Sequence, residues 1–344
     1  MPEKHTALFL TDRGLRHQQE ALGAAPPGLA VTMLRRPPRD ELLRLLPEAE
    51  FLISERSGRV DAGMIDAGGK LRLIQRLGSM TYDIDLEAAH AAGIPVSAWP
   101  VRVCVMVAEH MILQMLSLAK RLNEVSAIVQ AAGDWGQPSR RTDEDTFAYD
   151  WSLRSGIVPI LGQTVGILGF GEIGIELARR LAGFGPSRIL YHKRSRLTQE
   201  AERELGLAYA PFDQVVSESD TLCDLLPYFP ETDTLIDAGV LARMKRGAYL
   251  ISCGSGSVID EWALAESLRR GHLAGAALDT FEWEPIRPDN PLLPLARDPA
   301  GNVVLTPHTA AGGSADAGSD QTRRLDYENI LRILRGETVL YRVA

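Results

Sequence analysis

The segment Thr164-Val-Gly-Ile-Leu-Gly169-Phe-Gly171-Glu-Ile-Gly174 limits what this chain can fold into more than any other. A β-prone apolar run leads into Gly-x-Gly-x-x-Gly, and the amphipathic stretch Ile175 to Leu181 follows, so the glycines fall on a strand-to-helix turn. Each glycine then has its own physical task. Gly169 makes the tight turn, Gly171 lets the backbone approach a pyrophosphate, and Gly174 lets the helix pack closely on the strand. Phosphate oxygens meet unpaired N–H groups at the positive end of the helix dipole. Gly169, Phe170, Gly171, Glu172, Ile173 and Gly174 are therefore read as lining a dinucleotide site.

Around this turn, short β-rich runs alternate with helical patterns, which means parallel β-α-β units. One series comprises Ala7 to Leu10, Leu29 to Leu34, Phe51 to Ser54, Leu73 to Leu77 and Pro95 to Trp99, with helices at Asp40 to Leu46 and Asp85 to Ala92, the second opening with Asp85 as its N-cap and closing on Gly93. A second runs through Thr164 to Gly169, Ile189 to His192, Thr221 to Leu226, Ala248 to Ser252, Gly275 to Leu278 and Val303 to Thr306 and matches a full dinucleotide-binding sheet. A chain of 344 residues, 45% hydrophobic and 24% charged, has the length for two domains. The expected fold is α/β: a Rossmann dinucleotide-binding domain over residues 103–307, and a smaller doubly wound domain from residues 1–102 completed by residues 308–344. Gln130 to Arg154, with Gly133, Gly136 and Pro138 and no periodicity, reads as a long exposed excursion.

The end of the second strand in this series usually carries an acidic residue that bonds the ribose 2′-hydroxyl of NAD. Here the sequence is Tyr191-His192-Lys193-Arg194-Ser195-Arg196, with three cations and no carboxylate. Arg194 and Lys193 suit a 2′-phosphate, with Ser195 as a further donor and His192 beside them, so NADP is favoured and NAD is the alternative. A net charge of −8 without a basic run excludes a nucleic-acid partner and points to a small-molecule substrate. Cys104, Cys223 and Cys253 have no metal-ligand spacing and read as buried thiols, so no metal is expected. No signal-peptide pattern and no stretch of about 18 apolar residues is evident, so the expectation is a cytoplasmic protein with no membrane partner. Val103 to Leu122 is apolar on almost every face and must be buried between domains or subunits, which suggests a homodimer.

Four further stretches carry a family likeness: Val107-Ala-Glu-His110, Met244-Lys-Arg-Gly-Ala, Leu278-Asp-Thr-Phe-Glu-Trp-Glu284-Pro, and Asn302-Val-Val-Leu-Thr-Pro-His308. In order and separation, from about Phe51 to Gly313, the chain resembles the D-2-hydroxyacid dehydrogenases. The resemblance implies a flavodoxin-like substrate domain beside the Rossmann domain. It also implies hydride transfer between NAD(P)H and a 2-keto or 2-hydroxy acid or a related carbonyl compound. By the same resemblance His308 is the general acid/base and Glu284 its carboxylate partner. A ketone that accepts a hydride needs a proton for the developing alkoxide, and an imidazolium held by a carboxylate can give one. Asp279 matches a residue that contacts the nicotinamide carboxamide, and Pro227, Cys253, Gly254, Ser255 and Ala310 match cofactor-lining positions. Glu109 and His110 match a signature but read as packing and polar satisfaction on a buried helix.

The chain departs from the family at the catalytic arginine. In Ser252-Cys253-Gly254-Ser255-Gly256, Ser255 stands where the arginine belongs. The loop Gly78-Ser79-Met80-Thr81-Tyr82 likewise replaces a more glycine-rich stretch whose N–H groups hold the acid, so Ser79 and Met80 are its substrate candidates. Arg102 and Arg56, each just after an expected strand, are the candidates for a replacement charge. An alternative is a non-catalytic NAD(P)-binding regulator that kept the fold after losing the arginine.

Overall fold

A computed structural model describes residues 5–55, 57–133, 136, 138–146, 149–312 and 323–344. The chain forms two compact units, Met1–Val105 with Ala311–Ala344, and Met106–Ala310.

The first unit holds a parallel sheet of β1 (His5–Thr11), β2 (Leu29–Arg35), β3 (Phe51–Glu55), β4 (Leu73–Leu77) and β5 (Val96–Trp99) in the order β2-β1-β3-β4-β5. β3, β4 and β5 are buried at every residue, as strands covered on both faces must be. The helix Leu86–Ala91 starts where Asp85 accepts a hydrogen bond from the N–H of Ala88 at 3.0 Å, the N-cap expected from the sequence. The returning chain is sewn on by polar bonds. Asn329 donates to Ser97 Oγ at 2.9 Å, the Tyr327 hydroxyl to the Ala21 carbonyl at 2.7 Å, and Gln75 Nε2 to the Asp326 carbonyl at 2.5 Å. Buried Glu55 accepts from Arg323 at 2.9 Å and from the Thr11 hydroxyl at 2.7 Å, so the last segment also closes over the carboxyl ends of β1 and β3.

The second unit is built on seven parallel strands, β6 (Thr164–Leu168), β7 (Arg188–His192), β8 (Leu207–Tyr209), β9 (Thr221–Asp224), β10 (Tyr249–Ser252), β11 (Gly275–Leu278) and β12 (Val303–Leu305), ordered β12-β11-β10-β9-β6-β7-β8. The sequence reading lacked β8, a three-residue edge strand that is only partly buried and offers no apolar run. The order reverses between β6 and β9, the switch point at which such sheets open a crevice.

The apolar segment after β5 is a helix, Arg102–Ala119, ended by Arg121 in the left-handed region at φ +51°; a second helix, Leu122–Ala131, then occupies the start of the expected excursion. Contrary to the sequence reading, Arg102–Ala119 has the length and apolarity of a membrane span, with mean hydropathy 1.4. It is a core helix nonetheless, since 56% of it is buried inside the protein, with Val107, Met111, Ile112, Met115 and Leu118 closed off from water. Leu113 (55% exposed) and Val103 (37%) are its exposed large apolar residues. Cys104 and Cys223 are buried as expected, whereas Cys253 is half-buried.

At the carboxyl end of β9, Asp224 is fully buried beside the switch point. It accepts from the Leu226 N–H at 3.0 Å and from the Ser252 hydroxyl at 2.9 Å, tying the turn after β9 to the turn after β10. Burial outweighs both bonds and pushes its carboxyl up to about 7. A carboxyl raised in the folded state favours folding fully below the unfolded value near pH 4, and that contribution is lost as pH rises to about 7. Asp224→Asn should therefore raise unfolding free energy at pH 8 by about 2 to 4 kcal/mol and have little effect at pH 4. Denaturant melts at both pH values would check it, and greater destabilisation at pH 8 than at pH 4 would contradict the assignment.

Candidate active site

β6 delivers the chain to Gly169 at φ +80°, where a Cβ would stand 2.5 Å from the Leu225 carbonyl oxygen. Conformation and space both demand glycine there. Gly171 is the N-cap of the helix Glu172–Leu181, and nothing lies within 4 Å of the point its Cβ would occupy. That open face leaves the N–H groups of the first helical turn within reach of a diphosphate, so the turn fits a dinucleotide. At Gly174 a Cβ would lie 2.9 Å from the Phe170 ring, which itself packs on Tyr191 at 4.9 Å between centroids. Glu172 is buried and Ile173 half-buried behind the turn.

β7 ends at His192, whose Nδ1 donates to the Ala210 carbonyl at 3.0 Å while the ring stacks on Tyr209. Of the three cations that follow, Arg196 is committed to Glu202 by two bonds of 2.8 and 2.7 Å, and Glu202 also accepts from the Tyr191 hydroxyl. Arg194 is exposed, lies over the Phe229 ring at 5.0 Å, and makes no ion pair among the described residues. Ser195 is exposed and Lys193 half-buried beside it.

The next two strand ends supply the crevice floor. Pro227 is exposed beyond β9, and after β10 the Ser255 N–H donates to the Leu226 carbonyl at 2.9 Å. A Cβ on Gly254 would fall 2.8 Å from Asp224 Oδ2, and one on Gly256 only 2.0 Å from the carbonyl carbon and oxygen of Phe281. With no room on either side, half-buried Ser255 is held in register. The Cys253 thiol, pushed up by burial, donates to Gln114 Oε1 at 3.5 Å.

β11 and β12 bring the candidate proton-transfer pair, His308 and Glu284, together. His308 Nδ1 lies 2.7 Å from Glu284 Oε2, and Glu284 Oε1 accepts from the Phe281 N–H at 3.1 Å. The His308 side chain is 58% exposed, so with Nδ1 engaged, Nε2 is the ring atom left for a reacting group. Its backbone is left-handed at φ +52°, which a residue with a Cβ adopts only when its surroundings enforce it. The enforcing group is Asp279. Its backbone carbonyl accepts from the His308 N–H at 2.8 Å, while its carboxylate accepts from the Thr306 hydroxyl at 2.6 Å, the Thr309 N–H at 3.0 Å and the Ala310 N–H at 2.8 Å.

In the first unit, Ser79 is half-buried after β4 and Met80 is buried at 5% exposure. Arg102 is exposed at the first position of its helix. Arg56 lies outside the described residues. Sequence reasoning missed the Asp224–Ser252 pair and Thr306, because the contacts that define them join distant segments with no shared motif.

A model of the NAD-binding domain of the D-isomer-specific 2-hydroxyacid dehydrogenases matches residues 112–310. The glyoxylate reductase of Aeropyrum pernix is 36% identical over 282 residues, 80% of this chain and 77% of that protein. A D-3-phosphoglycerate dehydrogenase of Archaeoglobus fulgidus is 32% identical over 284 residues, 83% of this chain but 50% of that one. The crystal structure of a glyoxylate reductase from Paecilomyes thermophila, 26% identical, superposes with a TM-score of 0.53 over all of this chain and 99% of its own. The chain thus belongs to the D-isomer-specific 2-hydroxyacid dehydrogenase family and is an NAD(P)-dependent oxidoreductase acting on CH–OH groups.

Proposed function

We propose that this protein reduces a small 2-oxo acid of the glyoxylate type to its 2-hydroxy acid, with NADPH preferred over NADH, in the cytoplasm and as a homodimer. The observation that carries the reading is the 2.7 Å bond between His308 and Glu284, on a loop whose backbone strain is held by Asp279. The nicotinamide, when bound, supplies the hydride. His308 Nε2 gives the proton to the developing alkoxide, and Glu284 steadies the imidazolium. Gly169 to Gly174 hold the diphosphate, and Pro227, Cys253, Gly254, Asp279 and Ala310 line the rest of the cofactor's path.

Support for NADPH comes from Arg194, which carries no counter-ion among the described residues and rests on an aromatic ring beside the expected ribose. Support for a dimer comes from Leu113, Leu122 and Val129, exposed at 55%, 48% and 61% on consecutive helices. Ser255 leaves the substrate carboxylate without the usual guanidinium. Arg102, exposed and without an ion pair among the described residues, remains the candidate replacement charge that the sequence offers.

Turnover of glyoxylate followed at 340 nm with each cofactor tests the reading. His308→Ala should lower kcat by about 100-fold or more, in line with the loss of a general acid; full activity in that variant would refute the proton-transfer assignment. NADPH should bind at least about tenfold tighter than NADH, and Arg194→Ala should remove most of that difference, since each charge-assisted bond is worth about 1.5 to 3 kcal/mol. Equal dissociation constants in the wild type would end the NADPH assignment. Ser255→Arg should raise kcat/KM for glyoxylate by about tenfold or more through a cation placed at the developing alkoxide. A variant that binds NADPH normally and gains nothing would mean that Ser255 is not the vacant arginine position.

A further inference from the structure

His110 sits on the helix Arg102–Ala119 with its side chain only 14% exposed, and the proton-transfer pair makes no use of it. Its Nε2 lies 3.0 Å from Thr306 Oγ1 and 3.6 Å from Asp279 Oδ1. Donor counting fixes the direction of these bonds. Asp279 takes N–H groups from Thr309 and Ala310, and its 2.6 Å contact with Thr306 Oγ1 is a short bond to a carboxylate oxygen, so the single threonine hydrogen goes to Asp279. Thr306 Oγ1 can then only accept from His110, whose proton must be on Nε2. The result is one directed chain, His110 Nε2–H to Thr306 Oγ1–H to Asp279, and Asp279 in turn holds the loop by its carboxylate and its backbone carbonyl. His308 is on that loop in a left-handed conformation.

We propose that His110 is a positioning residue for proton transfer: through Thr306 and Asp279 it holds the loop in the one conformation that sets the His308 ring against Glu284. The proposal rests on His308 being the proton donor. Without His110, Thr306 Oγ1 loses the one donor it has on that side among the described residues, and its hydroxyl is free to turn away from Asp279. Thr306 and His308 are two residues apart, so slack there reaches the imidazole directly. Misplacement of a reacting group by about 1 Å can cost about 100-fold in rate. The groups facing His110 are polar on one side, Asp279 and Thr306, and Cys253 lies close enough to Asp279 for its thiol to feel that charge.

The test compares full-length wild type, His110→Gln, His110→Phe and Thr306→Val for glyoxylate reduction with NADPH across about pH 5.5 to 9, with NADPH affinity by fluorescence and Tm for each. His110→Phe and Thr306→Val should each lower kcat about tenfold or more while the NADPH dissociation constant stays within about threefold. They should also change the pH profile of kcat/KM, because Glu284 no longer holds the ring in one place. His110→Gln, whose amide N–H can replace Nε2–H, should recover to within about threefold of wild type. An unchanged rate and profile in His110→Phe would overturn the proposal. So would equal losses in His110→Gln and His110→Phe that follow Tm with no shift in the profile, the mark of a merely structural residue. Should His110→Phe not fold, Thr306→Val decides alone by the same two readings. His308→Ala separates the two levels: if it retains full turnover, the proton-donor reading itself is wrong, whereas its inactivity beside a normal His110→Phe would sink only the positioning role.

Discussion

The close approach of two backbones at the switch point is the constraint on which the rest of the second unit depends. Gly169 at the end of β6 lies against the Leu225 carbonyl at the end of β9, nearer than any side chain would allow. Because the strand order reverses between these two strands, their connections leave toward opposite faces and a crevice opens above them. Strands about 4.8 Å apart then set out the site as a sequence of stations. Arg194 follows β7, the open Gly171 follows β6, Asp224 ends β9 with Leu226 just beyond it, Cys253 to Ser255 follow β10, Asp279 follows β11 and His308 follows β12. Under the proposed reading, the phosphate-binding and proton-transferring groups stand at opposite ends of that row because the strand order separates them.

Asp279 shows how the strain at one end is held. A left-handed residue with a Cβ costs of the order of 1 to 3 kcal/mol. Hydrogen bonds to a charged acceptor are each worth about 1.5 to 3 kcal/mol, so the three that reach this buried carboxylate are more than enough to offset it. Asp224 plays a different part at the centre. It joins two turns with fewer donors, and burial leaves its carboxyl raised to about 7. One buried carboxylate is a stable anchor and the other a costly tie, and the difference is the number of N–H and O–H groups the backbone aims at each.

What was legible in the sequence was local. The glycine turn, the alternation of strands and helices, and the Asp85 cap are each written in a few consecutive residues, and the structure has them where the pattern put them. The edge strand Leu207–Tyr209 escaped because three residues, two half-buried and one exposed, are too few to carry a periodicity. Arg196 stands among the three cations after β7, and only the fold brings Glu202, six residues on, against it. The apolar helix after β5 was expected to be buried between domains or subunits, and 56% of it is buried within the chain. His110 read as a packing residue because its partner, Thr306, lies 196 positions away, and no spacing rule reaches that far.

Under the proposed reading Ser255 leaves an arginine position vacant, and magnitudes decide what that costs. Deleting one donor that stabilises a developing oxyanion costs about 10²- to 10³-fold, roughly 3 to 4 kcal/mol. Enzymes of ordinary power exceed the uncatalysed rate by about 10⁶-fold or more, so most of the catalysis survives such a loss when the other groups are in place. Those groups are present here: the His308–Glu284 pair is formed, the loop that carries it is bonded to Asp279, and glycines that tolerate no Cβ flank Ser255 on both sides. A chain relieved of its reaction would have no reason to keep His308 in a strained backbone, since a relaxed loop would be more stable by the same 1 to 3 kcal/mol or so. The strain therefore supports the proposed proton transfer, and under that reading a guanidinium missing at Ser255 narrows which carbonyl compounds are held well rather than ending the chemistry.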